Sequence, residues 1–151
     1  MGTDIHSFVE IRDTKTGKWE LAKIYSMNHQ SSRGLRPVEA YYGRSYMLFG
    51  LLAGVRDCVT PLIPLRGIPM DVSDDVREFY QAYEEDWHSA SWMTLSELNV
   101  FCRDKSIDKK TGDKEYRRLL KGFRDNVDFI ADVCTYYVAS PDVRVIFWFD
   151  S

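Results

Sequence analysis

The most informative segment of the chain is Arg44-Ser-Tyr-Met-Leu-Phe-Gly-Leu-Leu-Ala-Gly-Val-Arg56. No charged residue separates the two arginines, and nearly every position between them is apolar. A helix that is apolar all round is buried, and this one is too short for a bilayer, which takes about 20 apolar residues. We therefore predict a central core helix here, capped near Gly54, because glycine commonly ends a helix.

The rest of the chain has the composition of an ordinary soluble domain. Its 151 residues are 44% hydrophobic and 28% charged, with a net charge of -3, which predicts one domain over residues 1–151. The slightly acidic balance gives no general attraction to duplex nucleic acid or to an anionic membrane. The 3 cysteines are far apart and form no C-x-x-C pair, so we expect a reducing cytoplasm rather than a disulfide framework.

Strand patterns lie at the two ends of the chain. Residues alternate in character over Asp4–Arg12 and again over 18–24, after turn residues at 14–17, which predicts a hairpin. Val143–Phe149 is apolar at nearly every position, as is typical of a central strand. We predict that this last strand pairs antiparallel with the first. That pairing would gather four side chains at one edge of the sheet: Asp4, His6, Trp148 and Asp150.

Helix patterns fill the middle of the chain. Ser73 is predicted to cap a helix whose apolar stripe runs to Trp87, and Thr94-x-x-Glu97 predicts a capping box. A long helix is predicted after a charged linker at 104–113. Residues 26–43 have no sustained period and are predicted to be a loop.

This order of elements predicts the fold class. Strands at the chain ends with helices between them indicate an α+β fold. We expect a small antiparallel sheet, built from the N-terminal hairpin and the C-terminal strand. The buried central helix and two to three further helices would pack against it.

Two tetrapeptides repeat one pattern, Asp4-Ile-His6-Ser7 and Asp86-Trp-His88-Ser89. On a strand, residues two apart point the same way, so Asp4 and His6 share a face. A carboxylate beside an imidazole suits a transition metal, or orients the histidine as a base. The alternative is structural, with each aspartate capping a turn and each histidine satisfying a buried backbone group. The alternative metal ligands are thus Asp4, His6, Asp86 and His88.

Arg44 is unexpected at the start of a helix, where a cation opposes the helix dipole. It is predicted to bind an anion or to pair with a carboxylate such as Asp4, Asp86 or Asp150. Residues 88–92 are predicted to form a polar loop between two helices. Their hydroxyls either hold a phosphate at the following helix or only cap that helix.

Several of these segments occur together in one recognisable pattern. They are Met-Gly-Thr-Asp-Ile-His6, Arg44–Arg56, Arg66-Gly-Ile-Pro-Met-Asp-Val-Ser73, Asp86-Trp-His-Ser-Ala-Ser-Trp92 with Leu95-Ser-Glu-Leu98, and Arg144-Val-Ile-Phe-Trp-Phe-Asp150. The set resembles a group of small uncharacterised proteins from bacteriophages and bacteria that begin M-G-x-D-I-H. The resemblance implies a phage or prophage origin and the host cytoplasm, and, by analogy, a role against host defences. It implies no activity and no catalytic residue.

Three functions stay open, and homo-oligomers are compatible with all of them. The sequence favours binding of a small anionic, nucleotide-like ligand without a cofactor, in a pocket lined by arginines, serines, histidines and tryptophans. The tryptophans are expected to be core residues, or else to stack on a base beside the arginines. The alternatives are a metal-dependent phosphoester hydrolase that uses the two D-x-H pairs, and an inhibitor that binds a host protein. The predicted ligand-binding residues are Asp4, His6, Arg44, Arg66, Asp86, His88, Ser89, Ser91, Trp92 and Asp150.

Overall fold

The fold combines an antiparallel sheet with helices on both of its faces. The computed structural model describes residues 2–26, 34–41, 43–56, 60–104, 115–135 and 142–150. The strands are β1 (Ile5–Arg12), β2 (Trp19–Leu21), β3 (Lys23–Ser26), β4 (Gly34–Pro37), β5 (His88–Thr94) and β6 (Val143–Phe149). The helices are α1 (Tyr46–Ala53), α2 (Asp74–Ala82), α3 (Leu95–Cys102) and α4 (Glu115–Thr135), with a 3-10 turn at Glu84–Asp86. The predicted α+β class is confirmed.

The main sheet has the strand order β2-β1-β6-β5. β6 pairs antiparallel with β1, so that Ile5 faces Phe149 and Ile11 faces Val143, and this confirms the predicted pairing of the first and last strands. Every residue of β6 is buried. That burial follows from its position, because β6 has a strand on each side and helices over both faces.

α1 is the buried helix that the sequence predicts. Every residue of Leu48–Ala53 is buried. The Ser45 side chain caps the N-terminus, and Gly54 ends the helix with a left-handed φ of 68°, its amide donating to the carbonyl of Gly50. α1, α3 and α4 pack together on the face of the sheet that carries Val9 and Val145.

α2 covers the opposite face of the sheet. The predicted cap at Ser73 is confirmed, since its side chain accepts a hydrogen bond from the Val76 amide. Val76 is fully buried there beside Ile146 and Trp148. The predicted continuation of this helix to Trp87 is wrong, because α2 ends at Ala82. The reason is electrostatic: Glu84–Asp86 places three carboxylates where the helix C-terminus disfavours negative charge.

Residues 88–92 are not the predicted polar loop. They belong to β5, which pairs antiparallel with β6 from His88 to Thr94 and contains an irregularity between His88 and Ser91. The sequence here is rich in serine and lacks a β-branched run, so its strand state depends on the neighbour that β6 provides. The prediction of a capping box at Thr94 and Glu97 is confirmed, with both reciprocal hydrogen bonds present.

Two other boundaries differ from the sequence-based expectation. The strand predicted over 18–24 divides at Ala22, where β2 ends and β3 begins a separate two-stranded sheet. The partner of β3 is β4, which lies inside the stretch 26–43 that was expected to be a loop. Local periodicity does not reveal a strand this short, because its stability comes from its cross-strand partner.

Some predictions fall on residues outside the described ranges. They are most of the charged linker at 104–113 and the end of the long helix at Ser140-Pro141. Among the described helices, none combines the length and apolar character needed to cross a membrane.

Candidate functional site

The predicted cluster at one end of the sheet does form between the first and last strands. His6 Nε2 lies 3.0 Å from Asp150 Oδ2, and the Asp4 amide donates to Asp150 Oδ1 at 2.9 Å. Trp148 is the register partner of His6. Burial raises the pKa of Asp150, but the hydrogen bonds from His6 and the Asp4 amide, together with the charges of His6 and Arg44, outweigh it. The pKa of Asp150 therefore lies below its usual value.

Arg44 completes this cluster through Asp4. Its Nε and Nη2 donate to the two carboxylate oxygens of Asp4, each at 2.7 Å. Both side chains are about half exposed. The hydrogen bond from Arg44 to Asp4 raises the pKa of Arg44. Of the two roles that the sequence left open for Arg44, the structure shows the ion pair.

Arg66, Ser91 and Trp92 also come together, at the side of the sheet formed by β5. The Arg66 amide donates to Ser91 Oγ at 3.0 Å, and its guanidinium lies 4.6 Å from the centre of the Trp92 ring. Arg66 also forms a two-pronged ion pair with Glu97. The hydrogen bond from Arg66 lowers the pKa of Glu97 to about 2, and hydrogen bonds from Thr94 contribute further. The guanidinium of Arg66 is thus engaged by Glu97 and Trp92.

The remaining predicted residues lie around the irregular start of β5. His88 Nδ1 is 3.0 Å from Ser89 Oγ, and the backbone of Ser89 is left-handed, with a φ of 56°. Asp86 is exposed in the 3-10 turn. His88 stacks near Phe149, on the face of the sheet that α1 covers.

The two D-x-H pairs do not meet. His88 and Ile5 both face Phe149, whereas His6 faces Trp148, so the two histidines point to opposite faces of the sheet. The ring of His6 packs 4.5 Å from the centre of Trp87. Within the described residues, no group of three His, Cys, Asp or Glu side chains is placed to hold a metal ion. The alternative metal set of Asp4, His6, Asp86 and His88 is therefore not assembled.

A buried ion pair that the sequence patterns did not predict lies in the centre of the sheet. Arg144 Nε donates to Glu10 Oε1 at 2.8 Å, and Arg144 Nη1 donates to Asp71 Oδ1 at 2.8 Å. Glu10 is 0% exposed and Arg144 3% exposed. One signal was present in the sequence: Arg144 is the charged residue of an otherwise apolar strand, and a buried charge needs a partner.

Arginines and tryptophans alternate across the face of the sheet that carries Glu10 and Arg144. Arg144 lies 3.9 Å from the centre of the Trp19 ring and 5.7 Å from that of Trp92. Arg12 lies over Trp19 and Arg66 over Trp92, which extends the row at both ends. Each guanidinium of the row also has a carboxylate partner, namely Asp142 for Arg12, Glu10 and Asp71 for Arg144, and Glu97 for Arg66.

An exposed aromatic row is the other feature that the sequence patterns did not predict. Phe79 and Tyr83, one turn apart at the end of α2, are 47% and 64% exposed. Phe79 stacks on Phe8 with ring centres 5.1 Å apart, and Tyr83 lies 6.1 Å from Trp87. We call Phe79, Tyr83 and Trp87 the aromatic surface. The periodicity of these residues indicated a core stripe, and it is the early end of α2 that leaves Tyr83 outside.

Comparison with known proteins assigns none of these residues a role. No protein-family model, curated protein or solved structure matches this chain. The resemblance to the phage and bacterial group therefore stays a prediction, and only the geometry bears on function.

Proposed function

We propose that this chain is a binding protein that covers a basic surface of a partner protein with its aromatic surface. The observation that carries the proposal is the exposure of Phe79 and Tyr83 beside the half-buried Trp87. Aromatic side chains are enriched in protein–protein interfaces and among the few residues that dominate their binding energy. This is the third of the functions that the sequence left open.

The charge around the aromatic surface supports a basic partner. Within 74–86 the charges are six carboxylates and Arg77, and all seven side chains are exposed. Rim charges of this kind steer a partner of opposite sign and set its orientation more than they set affinity. The carboxylates are Asp74, Asp75, Glu78, Glu84, Glu85 and Asp86.

The arginine pairs weigh against the small anionic ligand. Arg44 is engaged by Asp4 and Arg66 by Glu97, each through a two-pronged contact. An incoming phosphate would have to displace a carboxylate held at high effective concentration by the fold. A protein partner on the aromatic surface requires no such exchange. If the phage origin holds, that partner is a host protein.

The proposal is tested by comparing three tagged proteins as bait in an extract of the source cell. They are the wild type, the Phe79→Ser/Tyr83→Ser double variant, and Val100→Ser as a matched control. Val100 is 70% exposed on α3, on the other face of the sheet. We expect a protein that the wild type and the control retain in stoichiometric amount, that the double variant loses, and that high salt releases.

The result must then be repeated with that protein in purified form, by titration against the three baits. Retention that is equal for all three baits would overturn the proposal. So would a melting temperature that rises with a nucleotide mixture in the wild type and not in Arg44→Ala, because a ligand stabilises only the state that binds it. That outcome would favour the nucleotide-like ligand instead.

A further inference from the structure

Tyr83 and Trp87 form an open corner at the end of α2. Their ring planes are inclined by 78°, with ring centres 6.1 Å apart. Two contacts hold the Trp87 side chain in place. Its Nε1 donates to the Tyr80 carbonyl at 2.9 Å, and the centre of the His6 ring lies 4.5 Å from the centre of its ring. Tyr83 is 64% exposed. The corner therefore consists of the Trp87 ring, which is held in place, and the Tyr83 ring, which faces solvent.

The electrostatics of this corner favour a cation. The face of an aromatic ring carries negative potential and attracts ammonium and guanidinium groups. The three residues that connect Tyr83 to Trp87 are Glu84, Glu85 and Asp86, all exposed. On the other side of Trp87, His6 is paired with Asp150. Among the described residues, the unpaired negative charge next to the corner therefore comes from the 84–86 turn, since Asp150 is already paired with His6.

We propose that the corner between Tyr83 and Trp87 binds the alkylammonium or guanidinium group of a basic side chain. The inference rests on the proposed function, since it names the chemistry that the partner protein brings to the aromatic surface. A cation there is attracted both by the faces of the two rings and by the adjacent carboxylates. A phosphate there would meet the carboxylates of Glu84, Glu85 and Asp86 and is disfavoured by repulsion.

The test uses the full chain, a small cation and a matched peptide pair. The probes are tetramethylammonium chloride, with sodium chloride at equal ionic strength as its control, and a lysine-containing peptide beside its acetyl-lysine form. The readout is the set of indole N–H resonances of the 4 tryptophans in a two-dimensional NMR spectrum, with Trp87 assigned through Trp87→Phe. We expect a saturable shift confined to the Trp87 resonance, and a weaker shift with acetyl-lysine.

Matched variants test whether the corner is responsible for binding of the cation probes. Tyr83→Leu should weaken binding of the lysine peptide about three- to five-fold, as loss of an exposed cation–π contact does. Tyr83→Phe keeps the ring and should bind like the wild type. Tyr46→Leu, at an exposed tyrosine on α1, is the control for a general loss of tyrosine. No saturable shift of Trp87, or an equal shift in Tyr83→Leu, would overturn the inference.

The two proposals fail in different ways. If the cation probes bind but no partner protein depends on Phe79 and Tyr83, the partner proposal fails and the cation site stands. If a partner depends on both residues and the probes do not bind, the cation site fails alone. Tyr83 is exposed, so its variants should keep the wild-type melting temperature, which confirms that they are folded.

Discussion

Glu10 and Arg144 face each other across β1 and β6, 134 positions apart in the chain. Glu10 Oε1 lies 2.7 Å from Arg144 Nη2, and Glu10 Oε2 accepts the Ser73 amide at 2.7 Å. The carboxylate thus joins both central strands to the start of α2. One buried ion pair holds together the sheet and the helix that carries the aromatic surface.

Removing one member of this pair should strongly destabilise the fold. We expect Glu10→Ala to lower the free energy of unfolding by about 3–5 kcal/mol, because Arg144 would keep a buried charge without its main partner. Urea denaturation of the wild type and of Glu10→Ala measures this difference in the free energy of unfolding. The Glu10→Ala/Arg144→Met double variant is the control, and its loss should be smaller than the sum of the two single losses. A single-variant loss below about 1 kcal/mol would show that Asp71 alone satisfies Arg144.

Leu52→Ala tests the buried helix. Leu52 is 4% exposed in α1, and a large-to-small change in a packed core lowers stability by about 3 kcal/mol through lost contacts and a cavity. Val100→Ala serves as the exposed control and should stay within about 0.5 kcal/mol of the wild type. Equal denaturation curves for the two variants would mean that α1 is not the core.

The Arg66–Glu97 pair should make part of the stability depend on pH. The pKa of Glu97 is lowered from 4.5 to about 2, first by the hydrogen bond from Arg66. A lowered folded-state pKa adds stability that is fully present above pH 4.5 and is lost as the pH falls toward 2. Both side chains are 30% exposed, and solvent screening limits the effect to about 1 kcal/mol.

The matched variant for this prediction is Glu97→Gln. Glutamine can keep the capping box with Thr94 while it removes the charge. The wild type should therefore exceed Glu97→Gln in melting temperature at pH 7, and the difference should shrink at pH 3. A difference that is the same at both pH values would exclude the ion pair as its source.

The buried thiols of Cys102 and Cys134 should be unreactive in the folded protein. Burial raises their pKa values to about 12 and about 11, and the thiolate is the reactive form. In a Cys58→Ser background, iodoacetamide at pH 8 should modify neither residue until urea is added, as read by mass spectrometry. Rapid modification without urea would place these side chains at the surface.

Removal of metal ions should leave the protein unchanged. We expect the same melting temperature with and without EDTA, since His6 and His88 point to opposite faces of the sheet. A structural metal would bind the folded state, so a chelator would lower the melting temperature. Stoichiometric zinc or manganese by elemental analysis, together with hydrolysis of a phosphodiester, would contradict this expectation.

Most features that the sequence predicted correctly depend on residues that are close together in the chain. The burial of α1 follows from apolar residues on every side of one short helix, and the caps at Ser73 and Thr94 involve residues at most three positions away. The position of β6 was predictable for a related reason. A strand that is apolar on both faces needs a neighbour and a cover on each side, and the first strand was the available partner.

Other pairings between distant segments appear only in the tertiary structure. Residues 88–94 are a strand because β6 lies beside them, and the register of that pairing turns His88 away from His6. The register of β1 against β6 gives Arg144 its partner Glu10. The fold also places Asp4 beside Arg44 and Glu97 beside Arg66. Whether a charged side chain binds a ligand or another residue depends on what the fold places next to it. The sequence predicted that the first and last strands pair, but spacing along the chain gave neither the place of β5 beside β6 nor the residue that lies across the sheet from Arg144.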